Sequence, residues 1–308
     1  MSITENRKSI LITGGSGLVG RHLTSMLLAE GYKVSHLSRK QDQFGKVRVF
    51  RWDPGKHIVA PDVFDGIDYI IHLAGANIGE KRWTKKRKEE IISSRIDSAD
   101  LIYRTILENR IPLKAFISAS AVGYYGSVTS EKIFTENNPP AEDFLGNTCR
   151  LWENEADKFE KSGIRSVRIR TAVVLEKSDS ALARMLIPAR TGIFPRMGNG
   201  RQYMPWIHIE DLCGIYLKAI QENNMNGAYN AAAPQETTNL RFIKSLGRVM
   251  NRSGIILPVP AIILKAIFGE MSSVILKGSR VSAEKIIDAG FQFKFENLQD
   301  ALDNAINY

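Results

Sequence analysis

Short apolar runs alternate with longer stretches of helical period along most of the chain. The runs fall at Ser9–Thr13, Lys33–Ser38, 47–51, 69–73, 115–119 and 166–171, and the amphipathic stretches near 18–30, Lys85–Glu108 and 148–161. Strands separated by segments this long are joined by helical crossovers, so the pattern predicts an α/β fold built on a doubly wound parallel sheet. The alternation fades after residue 175, where Gly192, Pro195, Gly198 and Gly200 mark turns before shorter helices. The expected layout is a nucleotide-binding domain over 8–175, rejoined by 206–232, with 176–205 and 233–308 forming a smaller C-terminal lobe on the substrate side.

The run Ser9-Ile-Leu-Ile-Thr13 leads directly into Gly14-Gly-Ser16-Gly17-Leu18-Val19-Gly20 and then into the first helical pattern. In this order Gly14 permits a tight turn, Gly17 lets a diphosphate approach the backbone, and Gly20 lets helix and strand pack closely. The helix N-terminus then faces the phosphates, which is the dinucleotide-binding arrangement of a Rossmann sheet. The second strand selects between dinucleotides. An acidic residue about 20 positions past the glycines binds the ribose hydroxyls of NAD, whereas a cation accommodates the 2′-phosphate of NADP. Here the strand ends in Ser38-Arg39-Lys40, with no carboxylate, which points to NADP(H).

Composition adds exclusions. With 308 residues, 44% hydrophobic and 24% charged, the chain is neither disordered nor collagen-like. Cys149 and Cys213 are too few for a disulfide framework or zinc cluster, and the five scattered histidines organise no metal site. The N-terminal residues show no export signal, so a cytoplasmic location is expected. The most apolar later stretch, 254–269, is interrupted by Pro258, Pro260 and Lys265. It reads as a turn plus a packed helix rather than a membrane span, with a dimer or membrane-surface patch as the alternative. A homodimer is compatible with the sequence, which does not fix the oligomeric state. Forty-two Lys and Arg against thirty-three Asp and Glu leave a net charge of +9, which favours anionic ligands. The basic run from Lys81 to Lys88 is followed by Glu89 and Glu90 and reads as a solvated helix start, not a nucleic-acid footprint.

The segments from Thr13 to Gly20, Leu37 to Lys40, Trp52-Asp53-Pro54, His72 to Ile78, Arg82-Trp83, Ser94-Arg95, Pro205 to His208 and Tyr229 to Pro234 together resemble the extended short-chain dehydrogenase/reductases. The likeness is to the branch described as epimerase family proteins. It implies that Gly14, Ser16, Gly17, Leu18 and Val19 form the diphosphate loop and that Ser38 and Arg39 hold the 2′-phosphate. Asp53 would lie near the adenine, and Leu73, Ala74 and Gly75 would form the small-residue turn beside the cofactor. Glu90, Arg95, Ser118 and Val174 complete the implied cofactor contacts. Arg201, Gln202, Trp206 and His208 would line the substrate edge, with N-terminal helix capping as the competing role for His208.

Ser120 resembles the serine that hydrogen-bonds substrate in epimerases and dehydratases. The family's partner is a Tyr-x-x-x-Lys pair, in which the tyrosine moves the proton while the lysine lowers its pKa and holds the nicotinamide ribose. This chain departs from that pattern. Anchored on Trp152-Glu153, the tyrosine position holds Leu145 and the lysine position Cys149. Tyr124 or Tyr125, just past Ser120, is the replacement proton donor under consideration, with Tyr124 favoured and cleft packing of the aromatic pair as the other reading. The expected function is an NADP(H)-dependent oxidoreductase or epimerase-like enzyme on a small or nucleotide-linked substrate. The alternative is a non-catalytic NADP(H) sensor or partner-binding protein that has lost the acid/base pair.

Overall fold

A computed structural model describes residues 8–39, 45, 47–252 and 254–307. Lys40 lies outside the described residues. The main sheet has eight strands: β1 Ser9–Thr13, β2 Lys33–Ser38, β3 Arg48–Asp53, β4 Ile58–Val59, β5 Tyr69–His72, β6 Ala115–Ala121, β7 Arg165–Thr171 and β8 Gly227–Ala231. Their order is β8-β7-β6-β5-β1-β2-β3-β4, and every pairing is parallel except β3 with β4. Succession runs outward in both directions from β1, which places a crevice at the strand ends where β1 meets its two neighbours.

Both faces of the sheet are covered, so the central strands are apolar throughout. Ile10, Ile12, Ile71 and Ile117 point into one core layer, while Leu11, Ile70 and Phe116 point into the other. Helix α1 (Leu18–Ala29) lies on the first face, and α2 (Lys85–Glu108) and α3 (Phe144–Lys161) on the second. Helix α3 begins four residues before the amphipathic pattern suggested. Asp143 caps it by accepting the Gly146 N–H at 2.8 Å, and a side chain at Gly146 would collide with the Ala141 carbonyl oxygen at 2.2 Å.

The chain leaves the sheet after β7, forms a third core around Leu175, Leu186, Phe194, Trp206, Phe242 and Leu302, and returns through the helix Ile209–Gln221 to β8. The stretch 254–269 corrects the expectation of a packed helix. It forms a strand, Ile255–Val259, in parallel register with Ile193–Met197, followed by the helix Ala261–Phe268. That helix has only two turns, and only Leu264 on it is buried; Ile262 remains 76% exposed. Among the described residues no helix is long and apolar enough to cross a membrane.

Candidate functional site

The loop between β1 and α1 is shaped by contacts that exclude side chains. Gly14 has φ +72°, a conformation that favours glycine, and the Gly17 N–H closes the turn onto the Gly14 carbonyl at 3.0 Å. A Cβ on Gly20 would lie 2.4 Å from that carbonyl oxygen, so the first helical turn rests directly on the loop. Gly15, which the motif left without a role, packs under the His36 ring, where a Cβ would come within 2.5 Å of ring atoms. No side chain caps α1, and its first turn carries no acid. The backbone N–H groups and positive end of the helix dipole are therefore available to an anion.

A cleft of about 520 Å³ opens in front of this loop, lined by Gly17, Leu18, Arg21, Asn77, Ser180 and Arg184 among others. Arg21 donates to the Ser16 carbonyl at 2.8 Å and pairs with Asp179 at 3.0 Å, while Arg184 reaches the Gly79 carbonyl at 2.8 Å. Sequence reasoning missed Arg21 and Arg184. For Arg21 the helical spacing from the glycines was a usable signal, but Arg184 comes from the distant lobe and had none. Ser16 is exposed, whereas Val19 is half-buried against the core below the loop.

Arg39 is exposed at the tip of β2, beside Ser38, and Asp53 ends the neighbouring β3. Asp53 is half-exposed and lies 3.9 Å from Lys56. Glu90 pairs with Arg87 at 2.7 Å, and Arg87 also holds Glu80 and the Asn77 carbonyl. Arg87 draws the Glu90 carboxyl below its usual range, with smaller contributions from Lys81 and Arg39. Its charge is thus answered from its own helix.

The turn after β5 is fixed from beneath. The Thr13 hydroxyl accepts the N–H groups of Leu73 and Ala74, both at 3.2 Å, and contacts His72 Nδ1 at 2.8 Å. Ser98 Oγ donates to the Ser94 carbonyl at 2.7 Å and lies 3.2 Å from His72 Nε2. The Thr13 oxygen is taken by two N–H groups, so its proton goes to Nδ1, and the Ser98 proton is spent on Ser94, so its oxygen accepts from Nε2–H; the network therefore places the ring proton on Nε2. Burial lowers the His72 pKa to about 4, so the ring is neutral at pH 7. Farther along α2, Ser94 accepts the Ala76 N–H at 2.9 Å, and the Arg95 guanidinium lies against Gly75, where a Cβ would sit 2.9 Å from Cζ.

Ser120, the expected substrate-bonding serine, does not present a free hydroxyl in the ligand-free fold. It is only 3% exposed and donates to Glu153 Oε1 at 2.7 Å. Arg170 clamps the same carboxylate with Nε and Nη2, each at 2.8 Å, and also donates to the Tyr125 hydroxyl at 2.9 Å. The Tyr125 hydroxyl in turn donates a hydrogen bond to Asn230 Oδ1 at 2.7 Å. Ser120 therefore belongs to a closed polar network that ties β6, α3, β7 and β8 together. Ser118 is likewise buried and donates to the Ala119 carbonyl at 2.9 Å.

Tyr124 is half-buried, with the Arg170 guanidinium 3.5 Å from its ring centre. Burial raises its pKa, outweighing the nearby cation, so its phenol is not primed to release a proton. Leu145 and Cys149 pack against the Gly123 turn, and burial pushes the Cys149 thiol up to about 12. Arg168, which alternates with Arg170 on β7, is taken up by Asp157 and Glu160.

Three of the four residues expected at the substrate edge are committed to packing in the lobe. Trp206 is fully buried and donates to the Gln235 carbonyl at 2.9 Å. Gln202 donates to the carbonyls of Met197 and Ile275, both at 3.0 Å. His208 caps the helix Ile209–Gln221 through a 3.2 Å bond from the Glu210 N–H and lies under Phe295, with ring centres 3.9 Å apart. These bonds occupy the Trp206 and Gln202 donors and the His208 Nδ1, while the His208 Nε2 is buried with no hydrogen-bond partner among the described residues. Arg201 remains exposed, and Val174 lies half-buried in a strand, Val173–Leu175, paired with Trp206–His208. Among the described residues no group of three or more His, Cys, Asp or Glu side chains gathers as for a metal ion.

Comparison with known proteins places this geometry in context. A profile described as the NAD dependent epimerase/dehydratase family matches residues 10–232, and a domain of unknown function (DUF1731) matches 259–305. The epimerase family protein YfhF of Bacillus subtilis is 37% identical over 301 residues, covering 97% of this chain and 98% of YfhF. The human epimerase family protein SDR39U1 is 33% identical over 302 residues, covering 96% of this chain and 99% of the human protein. A crystal structure of human SDR39U1 (isoform 2) with NADPH superposes with a TM-score of 0.86 at 31% identity, covering 97% of this chain and all of that one.

Proposed function

Taking as premise that this chain belongs to the NAD dependent epimerase/dehydratase family, we propose that it binds NADP(H) in the crevice above β1 and transfers hydride to or from a small or nucleotide-linked substrate. The observation that carries this reading is the pairing of an uncapped, acid-free helix N-terminus above a glycine turn with a β2 tip that ends in Ser38-Arg39. Human SDR39U1, crystallised with NADPH, supports the choice of dinucleotide.

Gly14, Gly17 and the N–H groups of Leu18 and Val19 would hold the diphosphate, and the Arg39 guanidinium would answer the 2′-phosphate. The turn Leu73 to Gly75, held by Thr13 and Ser94, gives the ribose and nicotinamide a rigid wall of small residues. The cofactor, when bound, supplies the hydride. The protein's part is to position the acceptor and exclude water. With Ser120 bonded to Glu153, and with Leu145 and Cys149 in place of the Tyr-Lys pair, these residues offer no strong acid to a substrate oxygen. The reaction that suits them is hydride transfer to an acceptor activated by its own conjugation.

The same closed network supports a second reading, a protein that senses the NADP(H) pool without turnover. A screen of carbonyl and enone acceptors, monitored by loss of the reduced-nicotinamide absorbance, separates the two. Turnover that survives Ser120→Ala supports the hydride-transfer reading, and failure of the whole panel despite tight NADPH binding supports the sensor.

A further inference from the structure

The strand Ile255–Val259 and the helix Ala261–Phe268 leave a run of apolar surface uncovered. In the parallel register Ile193 lies beside Ile255, Pro195 beside Leu257 and Met197 beside Val259. Side chains alternate along a strand, so these six share one face, while Phe194 and Ile256 on the other face pack into the lobe core. Ile255 is 73% and Leu257 50% exposed. Beyond Pro260 the chain passes directly into the helix, where Ile262, Ile263 and Ile267 are exposed as well. Apolar surface gathered on successive elements in this way marks a binding face.

Charge says what the face binds. The two strands and the helix carry Arg196 and Lys265 and no carboxylate. The basic run Lys81–Lys88 lies against the end of the same helix: Arg82 donates to the Ala266 carbonyl at 3.4 Å, and Lys88 pairs with Glu270. Lys81, Arg82, Lys85 and Lys86 are exposed there. Of the carboxylates beside the run, Glu80 is shared by Arg87 and Lys81, Glu90 is held by Arg87 and Glu270 by Lys88, which leaves Glu89. A second copy of the chain would bring two surfaces of the same sign together. Strand addition at the open edge is disfavoured too. The Ile255 N–H bonds inward to the Gly192 carbonyl, so positions 256 and 258 face outward, and Pro258 has no N–H to offer. We infer that this face docks on an anionic lipid bilayer. The isoleucines of strand and helix enter the boundary between headgroups and acyl chains, while Lys265 and the basic run contact the lipid phosphates. Apolar side chains flanked by cations hold proteins to such surfaces without spanning them. The helix has eight residues and is about 12 Å long, so it lies in the interface and does not cross it.

The test uses the full chain and two vesicle preparations: phosphatidylcholine alone, and an equimolar mixture of phosphatidylcholine and phosphatidylglycerol. Flotation should recover wild type with the anionic vesicles and not with phosphatidylcholine. The double variant Ile262→Ser with Ile267→Ser should lose roughly tenfold or more in partitioning onto the anionic vesicles. Lys85→Gln with Lys86→Gln should lose about fivefold or more. Both double variants should keep the wild-type melting temperature, because all four side chains are exposed. In Ile262→Trp the emission should shift to the blue, relative to wild type, when anionic vesicles are added. A wild-type chain that floats with neither preparation would overturn the inference. Equal flotation of wild type and the isoleucine variant would reduce the binding to adsorption of a cationic protein and overturn it as well. An unshifted emission from vesicle-bound Ile262→Trp would do the same even if the serine variant failed to fold. A wild-type dimer in sedimentation equilibrium that is lost in the isoleucine variant, without vesicle binding, would assign the face to a second copy instead.

Discussion

Replacing Arg170 with methionine isolates the network that captures Ser120. The arginine and its partner Glu153 are only 4% and 8% exposed, and two bonds of 2.8 Å join them. Arg170 also donates to Tyr125 and to the Glu136 carbonyl. Without the guanidinium, the Glu153 carboxylate keeps only the Ser120 hydroxyl in a site closed to water. Removing one partner of a buried ion pair costs about 3–5 kcal/mol. At roughly 2–3 °C per kcal/mol for a chain of this size, the midpoint should fall by roughly 6–15 °C. Thermal and urea unfolding of Arg170→Met measure the loss. The double variant Arg170→Met with Glu153→Leu removes both charges and should recover most of it, since an apolar replacement of a buried pair is close to neutral. A single-variant cost below about 1 kcal/mol, or a double variant no better than the single, would refute the claim that this pair is desolvated and closed.

Gly20→Ala should abolish NADPH binding or destabilise the chain by several kcal/mol, because the new methyl would sit 2.4 Å from the Gly14 oxygen; near-normal titration and melting curves would contradict the packing described. Ser120→Ala should cost about 1–3 kcal/mol in urea unfolding, as a bond to a charged group, and leave NADPH affinity unchanged. Stability should also fall with acid. The folded-state pKa values of His36, His72 and His208 are depressed from 6.5 to about 4 by burial, so the unfolded chain binds more protons between those limits. Their contribution is complete above pH 6.5 and is lost as pH falls toward 4; a flat urea midpoint across that window, or one that rises with acid, would refute the neutral assignment.

The strand-helix alternation and the glycine turn were legible in the sequence because they rest on local periodicity and on backbone conformations that few residues adopt. The cationic end of β2 was legible for the same reason, lying a fixed distance from the glycines. The fate of Ser120 was not, because its partner Glu153 and the clamp Arg170 come from α3 and β7, and only the folded register brings them together. Gln202, Trp206 and His208 read as cleft residues because their segment resembles the family's cleft edge. Their hydrogen bonds run to Met197, Ile275, Gln235 and Glu210, pairings that depend on how the lobe folds back. Thr13, His72 and Ser98 escaped notice because a buried histidine between two hydroxyls leaves no periodic trace.

The central claim is that the glycine turn holds a diphosphate while Arg39 selects the phosphorylated adenosine. It is tested most directly by titrating wild type and Arg39→Ala with NADPH and with NADH. The account predicts that wild type prefers NADPH and that the substitution weakens NADPH alone, by about 1–3 kcal/mol or roughly fivefold to 150-fold, leaving NADH nearly unchanged. Equal losses for the two cofactors, or a wild-type chain that binds neither, would contradict it.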